Sequence, residues 1–475
     1  MKLAVSKKNL WEKIPAPGKS IIGGVLAKIP VEYLIGKRYR ATINFLEESQ
    51  DWDKTKIRDY QVQQLHRILT LAFNKTKFYK ESFSKHGFDP KNFNSLEQIQ
   101  QLPLTDRETI KNNLQSMCTV SVNAPHVDYI TTGGTSGAPL CFYTTSKRSQ
   151  IEYAYLVSGW KRVGYKLGAP VAVLRGKVIK KNSQGQYYEI DPVFNHHYFS
   201  SFHLTDENMA FYLERIKNLG PCFLHVYPSS IYYLARFLKR SGLQPPKNIQ
   251  GILAESENVY PEQRQLVEEL FNCRYFSSYG HTEKLIAAAE CEHSDDYHVW
   301  PTYGFFELLD EDGSVITTPG RRGEIVGTGF INDVVPFIRY RTGDFATYVG
   351  DQCPKCGRNH LLIRDIRGHN VQETLIAKDG TVIPWSAVNM HDDTFNNVHR
   401  FQFYQDTPGK AVLRVIPTPA FTPLDAEKIK KNLGIKFAGR LEFDIKLVPD
   451  IPLSGSGKSI FVDQRIKGFK SGRTT

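Results

Sequence analysis

Between Tyr129 and Leu140 the chain reads Tyr-Ile-Thr-Thr-Gly-Gly-Thr-Ser-Gly-Ala-Pro-Leu. Every position from Thr131 through Thr132, Gly133, Gly134, Thr135, Ser136 and Gly137 is a glycine or carries a hydroxyl. Glycine lets a backbone turn at positive φ and approach a ligand closely, while Thr and Ser add hydroxyl donors. Such a loop can wrap phosphate oxygens in N–H and O–H groups, or it can be a plain solvent-facing hairpin turn. It is not the lysine-containing NTPase loop, because Ala138-Pro139 follows its last glycine, and its glycine spacing is not that of the dinucleotide fingerprint.

Three later stretches carry related chemistry. Ser277-Ser278-Tyr279-Gly280-His281-Thr282-Glu283 offers an aromatic face, a hydroxyl and a carboxylate within five residues, suited to a base, a phosphate and Mg²⁺. Arg339-Tyr340-Arg341-Thr342-Gly343-Asp344 ends in an acceptor-only carboxylate, which suits two adjacent ribose hydroxyls. Pro452-Leu453-Ser454-Gly455-Ser456-Gly457-Lys458 is a hydroxyl-rich loop whose lysine can bring a point charge to an anionic transition state. Cys353-Pro354-Lys355-Cys356-Gly357 has the C-x₂-C spacing of a zinc knuckle, with Cys291, His293, His298 and His360 available to complete four ligands.

The elements that must hold these stretches follow from periodicity. Leu65, Ile68, Leu69, Ala72 and Phe73 recur at helical spacing and predict one amphipathic helix over 59–83. After the glycine loop, helices are expected at 149–163, 206–219, 231–240 (with a serine cap from Pro228-Ser229-Ser230) and 261–271. Apolar runs at 170–174, 223–227, 249–254 and 275–279 read as buried strands. This alternation predicts an α/β unit with a largely parallel sheet, and its strand ends are where open sheets bind ligands. From His298 to Ile363, short β-type runs punctuated by Asp312-Gly313, Pro319-Gly320 and Thr342-Gly343 predict antiparallel sheet. The tail from Ile366 mixes strands and helices as a separate small α+β domain.

At 475 residues the chain has ample material for a full core, and its +12 net charge favours anionic partners without selecting one. Seven scattered cysteines, an odd number, argue for a reducing, cytoplasmic setting rather than a disulfide framework. The apolar stretch 21–35 is broken by Gly23, Gly24, Lys28, Pro30 and Glu32, so no membrane span is expected there, although an amphipathic surface contact is compatible with it.

Taken in order and spacing, the glycine loop, Tyr-Gly-His-Thr-Glu, Tyr-Arg-Thr-Gly-Asp and the Ser-Gly-Lys tail resemble the adenylate-forming (acyl-AMP-forming) ligase superfamily. They look most like its branch of phenylacetate–CoA ligases and capsular-polysaccharide-biosynthesis relatives. Leu102-Pro103-Leu104-Thr105, Tyr227-Pro228-Ser229-Ser230 and the tail 389–405 share that likeness, which covers the chain from about residue 60 onward. The resemblance implies an N-terminal arm (1–60), a large adenylate-forming domain with mixed parallel sheets and a β subdomain (61–365), and a small mobile α+β domain (366–475). It implies that Thr131 to Gly137 hold the ATP β,γ-phosphates, Tyr279 and Gly280 flank adenine, Thr282 contacts the α-phosphate and Glu283 binds Mg²⁺. Asp344 would bind ribose and Glu255 would lie near the nucleotide. Lys458 would serve adenylation, and segments around 194–230 and 254–281 would line the acid pocket. For zinc, the resemblance favours Cys291 and His298 beside Cys353 and Cys356.

Two departures accompany the likeness. The loop has Ala138 where many members carry lysine, and the hinge stretch Arg367-Gly368-His369-Asn370-Val371-Gln372-Glu373 has His369 where arginine is usual, leaving Arg364 or Arg367 to substitute. The implied function is an ATP-dependent carboxylic acid ligase passing an acyl group to a thiol (CoA) or an amine such as an amino sugar, in surface polysaccharide biosynthesis. The competing classes are a non-catalytic nucleotide- or glycan-binding protein of the same fold and a zinc-containing nucleic-acid binder. The second of these leaves every motif but the cysteine pair unexplained, so no nucleic-acid partner is expected.

Overall fold

The structure is a computed structural model that describes residues 29–131, 140–368, 374–384, 393–395, 397–453 and 459–466. Its centre is a twelve-stranded sheet. In spatial order the strands are Gly304–Leu309, Arg322–Gly329, Tyr340–Gly350, Leu362–Arg367, Tyr297–Val299, Ala287–Glu290, Tyr275–Gly280, Ile249–Glu255, Cys222–Val226, Val171–Leu174, His196–Phe199 and Tyr188–Asp191. Five neighbours, from Tyr275–Gly280 to His196–Phe199, run parallel. At Tyr275–Gly280 the next pairing, with Ala287–Glu290, becomes antiparallel and stays so to the far edge. The predicted α/β unit and antiparallel region are thus continuous, in one hydrogen-bonded ladder.

The parallel strands Val171–Leu174 and Cys222–Val226 are buried at every residue, as expected of strands covered on both faces. Helices Asp206–Lys217, Pro228–Ser241 and Pro261–Phe271 supply one cover, through a core containing Tyr212, Ile231, Leu234 and Val267. Helix Arg148–Trp160 packs on the sheet and against helix Lys37–Ser49, whose Tyr39, Ile43 and Leu46 enter the same core. Residues 37–49, within the expected N-terminal arm, are therefore packed scaffold.

Two local expectations are corrected. The single helix over 59–83 is two, Lys54–Lys75 and Lys77–Lys85, because Thr76 takes an extended conformation and its hydroxyl accepts the Tyr79 N–H to start the second. The helix expected at 231–240 begins at Pro228 without a serine cap. Instead the Ser229 N–H and hydroxyl donate to the Glu257 carboxylate, at 2.8 and 3.0 Å, and Ser230 donates to the carbonyls of Leu174 and Tyr227. A carboxylate from a neighbouring loop does the work of the cap.

The smaller unit has a four-stranded sheet, Glu442–Leu447, Lys410–Pro417, Val398–Thr407 and Val462–Gln464, with helix Pro423–Phe437 packed on it through Ile429, Leu433 and Phe437. It meets the large unit on helix Pro228–Ser241, where buried Arg236 donates to the carbonyls of Phe395 and Val398. The last strand of the large sheet runs to Arg367, two residues past the expected boundary. Among the described residues no helix is long and apolar enough to cross a membrane.

Candidate active site

At the carboxyl ends of the parallel strands, where the sheet changes to antiparallel, lies a cavity of about 1730 Å³. Strand Tyr275–Gly280 delivers Tyr279, whose hydroxyl donates to Asp344 Oδ2 at 2.7 Å. Asp344 is set in strand Tyr340–Gly350 just after Gly343, which sits at φ 75°, and its N–H donates to Thr342 Oγ1 at 3.0 Å. Thr342 in turn donates to the Ile325 carbonyl. Burial first, then the Asp344 carboxylate, push the Tyr279 phenol well above its ordinary value, so it stays a donor.

The turn after Tyr279 is held by a slot made for Leu285. A Cβ on Gly304 would lie 1.9 Å from the Leu285 carbonyl oxygen, and Cβ atoms on Gly327 and Gly329 would lie 2.9 and 2.8 Å from its side chain. Only glycine allows this approach. With Leu285 wedged there and fully buried, Thr282, Glu283 and Lys284 project into the cavity. Burial raises the Glu283 carboxyl, but the His281 hydrogen bond (3.2 Å) and charge, with a further contribution from Arg107, bring it below the ordinary range. It is therefore an ionised, largely enclosed oxygen donor, suited to a hard cation.

Glu255, at the end of strand Ile249–Glu255, accepts from Arg175 and His225. Burial raises its carboxyl, and Arg175, His225 and Lys284 outweigh this and hold it at about 2. Arg175 also donates to Ser256 at 2.7 Å, and its guanidinium lies over the Tyr227 ring at 5.0 Å. Arg364 lines the same cavity from strand Leu362–Arg367, half-exposed and paired with Asp296 at 2.9 Å.

The cavity thus gathers Glu255, Tyr279, Gly280, Thr282, Glu283, Asp344 and Arg364. Thr131 ends the hairpin Val127–Thr131, pairing with Cys141, as the strand-like flanks of the loop require. Thr132, Gly133, Gly134, Thr135, Ser136, Gly137, the hinge residues His369 to Glu373 and Lys458 lie outside the described residues. Sequence reading missed Arg175, Glu152, Lys284 and Tyr303, which also line the cavity. No motif marks them, since each is a single polar residue in an otherwise ordinary strand, helix or turn.

A second constellation joins Cys291, His298, Cys353 and Cys356, whose ligand atoms all lie within 4.8 Å of one another. Cys291 Sγ and Cys353 Sγ are 3.8 Å apart, as are Cys356 Sγ and His298 Nε2. Two thiolates about 2.3 Å from a tetrahedral zinc stand about 3.8 Å apart, so the sulfur pair has the matching span. Burial, with Arg162 and Arg358 nearby, holds the His298 imidazole neutral, down to about 3, which is its ligating form. His360 packs edge-on against His298, outside the cluster of four.

No protein-family model matches the chain. It is 23% identical to protein CapK of Staphylococcus aureus over 461 residues, 96% of this chain and 99% of that protein. It is 22% identical to a phenylacetate-coenzyme A ligase of Thermus thermophilus over 345 residues, covering 71% and 75% of the two chains. Among solved structures, a 2-hydroxyisobutyryl-CoA ligase in the postadenylation state with 2-HIB-AMP aligns with TM-score 0.63 at 17% identity, covering 88% of this chain and 90% of that one. An acyl acid amido synthetase in complex with 2,4-DB aligns with TM-score 0.51 at 14% identity, covering 86% and 89%.

Proposed function

We propose that this chain, which belongs to the adenylate-forming ligase superfamily, uses ATP to convert a carboxylic acid to its acyl-adenylate and passes the acyl group to a thiol or an amine. The observation that carries this is the pairing of Tyr279 with Asp344 beside ionised Glu283, at the switch from parallel to antiparallel sheet. In the first step a substrate carboxylate oxygen forms a bond to the α-phosphorus of ATP as the bond to the pyrophosphate oxygen breaks. Such a transfer needs alignment and charge stabilisation rather than covalent help from the protein.

Asp344 offers acceptors for ribose hydroxyls, Tyr279 a face for adenine, and Thr282 a hydroxyl for the α-phosphate. Glu283 would hold Mg²⁺, which when bound neutralises the departing pyrophosphate. The Thr131 to Gly137 loop would grip the β,γ-phosphates, and Lys458 would bring the charge that the loop, with Ala138, does not carry. CoA or an amine, an amino sugar among them, would then take the acyl group after the small domain swings about Gly368. Cys291, His298, Cys353 and Cys356 would bind a structural zinc that staples strand Tyr297–Val299 and the end of strand Ala287–Glu290 to the segment after strand Tyr340–Gly350, and takes no part in the chemistry. The likeness of the motifs to the capsular-polysaccharide-biosynthesis branch is what suggests a reaction in surface polysaccharide assembly, in the cytoplasm.

The test is acid-dependent exchange of labelled pyrophosphate into ATP. Exchange that requires an acid and Mg²⁺ is expected. ATP binding without exchange for any acid would make the protein a nucleotide binder instead.

A further inference from the structure

The part of the cavity beyond Thr282 and Glu283 has a wall of unusual chemistry. Lys284 Nζ pairs with Glu152 Oε2 at 2.5 Å, and the Tyr303 hydroxyl donates to the other oxygen of Glu152. Next to them Arg175 pairs with Glu255 and donates to Ser256. Both pairs line the same cavity and so face any ligand in it together. Their two cations and two carboxylates balance.

Exposure shows what this wall presents to a ligand. The side chains of Glu152, Lys284, Arg175 and Glu255 are 22%, 26%, 23% and 18% exposed, all within the cavity lining. The aromatic residues behind them, Tyr155, Trp300 and Tyr303, are only 6%, 3% and 3% exposed, because they pack edge-on against one another. These ring faces therefore belong to the core, and the charged ends of the four side chains reach the space beside apolar lining from Tyr153, Leu156, Ala287 and Ala288.

On the reading above that this cavity adenylates an acid, we propose that the acid is polyhydroxylated and carries no charge beyond its reacting carboxylate, and that Glu152, Lys284, Arg175 and Glu255 select it. Hydroxyls both donate and accept, so they can bridge between ammonium and carboxylate without breaking the balance of the two pairs. An alkyl or phenyl group would cover the ion pairs and strip their remaining water without replacing it. An extra ammonium or carboxylate would leave one charge unmatched in a confined space. A site built to hydrogen-bond hydroxyls also rejects a ligand lacking them far more strongly than an apolar pocket rejects an added hydroxyl.

The experiment measures kcat/KM for pyrophosphate exchange with the full chain and six acids: gluconate, glucuronate, hexanoate, phenylacetate, glutamate and lysine. Gluconate and hexanoate have the same carbon skeleton, so their ratio isolates the hydroxyls. A hydroxylated acid is expected to exceed hexanoate and phenylacetate by at least about a hundredfold. In Glu152→Leu/Lys284→Met that ratio should fall at least about tenfold, with hexanoate exchange retained or raised. The near-isosteric Glu152→Gln should move the ratio in the same direction and guards against misfolding of the double variant. Preference for hexanoate or phenylacetate would overturn the substrate class while leaving adenylation standing. Preference for glutamate or lysine would overturn the argument from charge balance. A ratio unchanged in both variants would overturn the role of Glu152. No exchange with any acid would defeat the adenylation reading itself, and this inference with it.

Discussion

Replacing Arg175 with Met removes the cation nearest the Glu255 carboxylate while keeping a side chain of similar reach. In the native protein burial raises that carboxyl, and Arg175, followed by His225 and Lys284, outweighs it, giving about 2 against 4.5 for a solvated glutamate. A depression of this size corresponds to roughly 3 kcal/mol of folding stability. Because the folded value lies below the unfolded one, that stability is fully present above about pH 4.5 and is lost as the pH falls towards 2. Without Arg175, burial, already the largest influence, is opposed chiefly by His225 and Lys284, and the carboxyl rises from about 2. Its contribution then shrinks, so less stability is present above pH 4.5 and less is lost as the pH falls towards 2. His225 changes too, since burial and Arg175 together depress it, and without Arg175 it can protonate and pair with Glu255 as the pH falls. Arg175→Met should therefore lose roughly 3 kcal/mol at pH 7, the size expected when one partner of a buried pair is removed. It should regain part of this between pH 7 and 5, where this pair's contribution to native stability is nearly flat. Urea unfolding at fixed pH, followed by tryptophan fluorescence, reads the change close to its source, because the Trp160 ring packs edge-on against His225 at 4.8 Å. A loss below about 1 kcal/mol at pH 7, or the same pH slope in both proteins, would refute the coupling of Arg175 to Glu255.

Four other outcomes are expected. Asp344→Asn keeps an acceptor for the Tyr279 hydroxyl but loses the charge, so KM for ATP in the exchange assay should rise by about tenfold to a hundredfold while the melting temperature barely moves. Lys458→Ala should lower exchange by about a hundredfold or more with ATP binding retained, and full exchange activity would contradict its assigned role. Elemental analysis should find stoichiometric zinc in fresh, tag-free protein and its loss in Cys353→Ser, with a lower melting temperature but unchanged exchange per folded molecule; zinc-free native protein would sink the assignment. Lys284 sits at φ 64°, a conformation that costs a non-glycine residue about 1 kcal/mol, so Lys284→Gly should be more stable than Lys284→Met by about that amount in urea unfolding. Equal stability would mean that the turn is not strained.

Much of this site was legible because its parts are local. Tyr279, Thr282 and Glu283 fall on one strand end and the turn after it, and Asp344 on one strand, so short motifs carry them whole. The alternation of apolar runs and helical spacing likewise marked four of the five parallel strands to within one residue, and missed His196–Phe199, whose His-His-Tyr-Phe is no apolar run. The cap of helix Pro228–Ser241 was not legible, because its partner Glu257 arrives from a loop 28 residues on. Neither was the break at Thr76, where a side-chain cap overrides an apolar period that continues across it.

The wall beyond Glu283 was illegible for a deeper reason, and that reason bears on how specificity is encoded here. Arg175 and Glu255 are 80 residues apart, and Tyr303 and Glu152 are 151 apart. Each is an unremarkable charge or phenol in its own segment, and only the sheet brings them to one end. The motifs proposed to hold the nucleotide are contiguous because a loop or a turn can present several contacts to one phosphate group. A wall that selects an acid, as proposed for these residues, must present donors and acceptors across its width, which no single turn spans. It therefore draws one residue each from a helix, a strand end and two turns. On this proposal the motifs for activation are readable from local sequence, whereas the choice of acid rests on long-range pairs that appear only after folding.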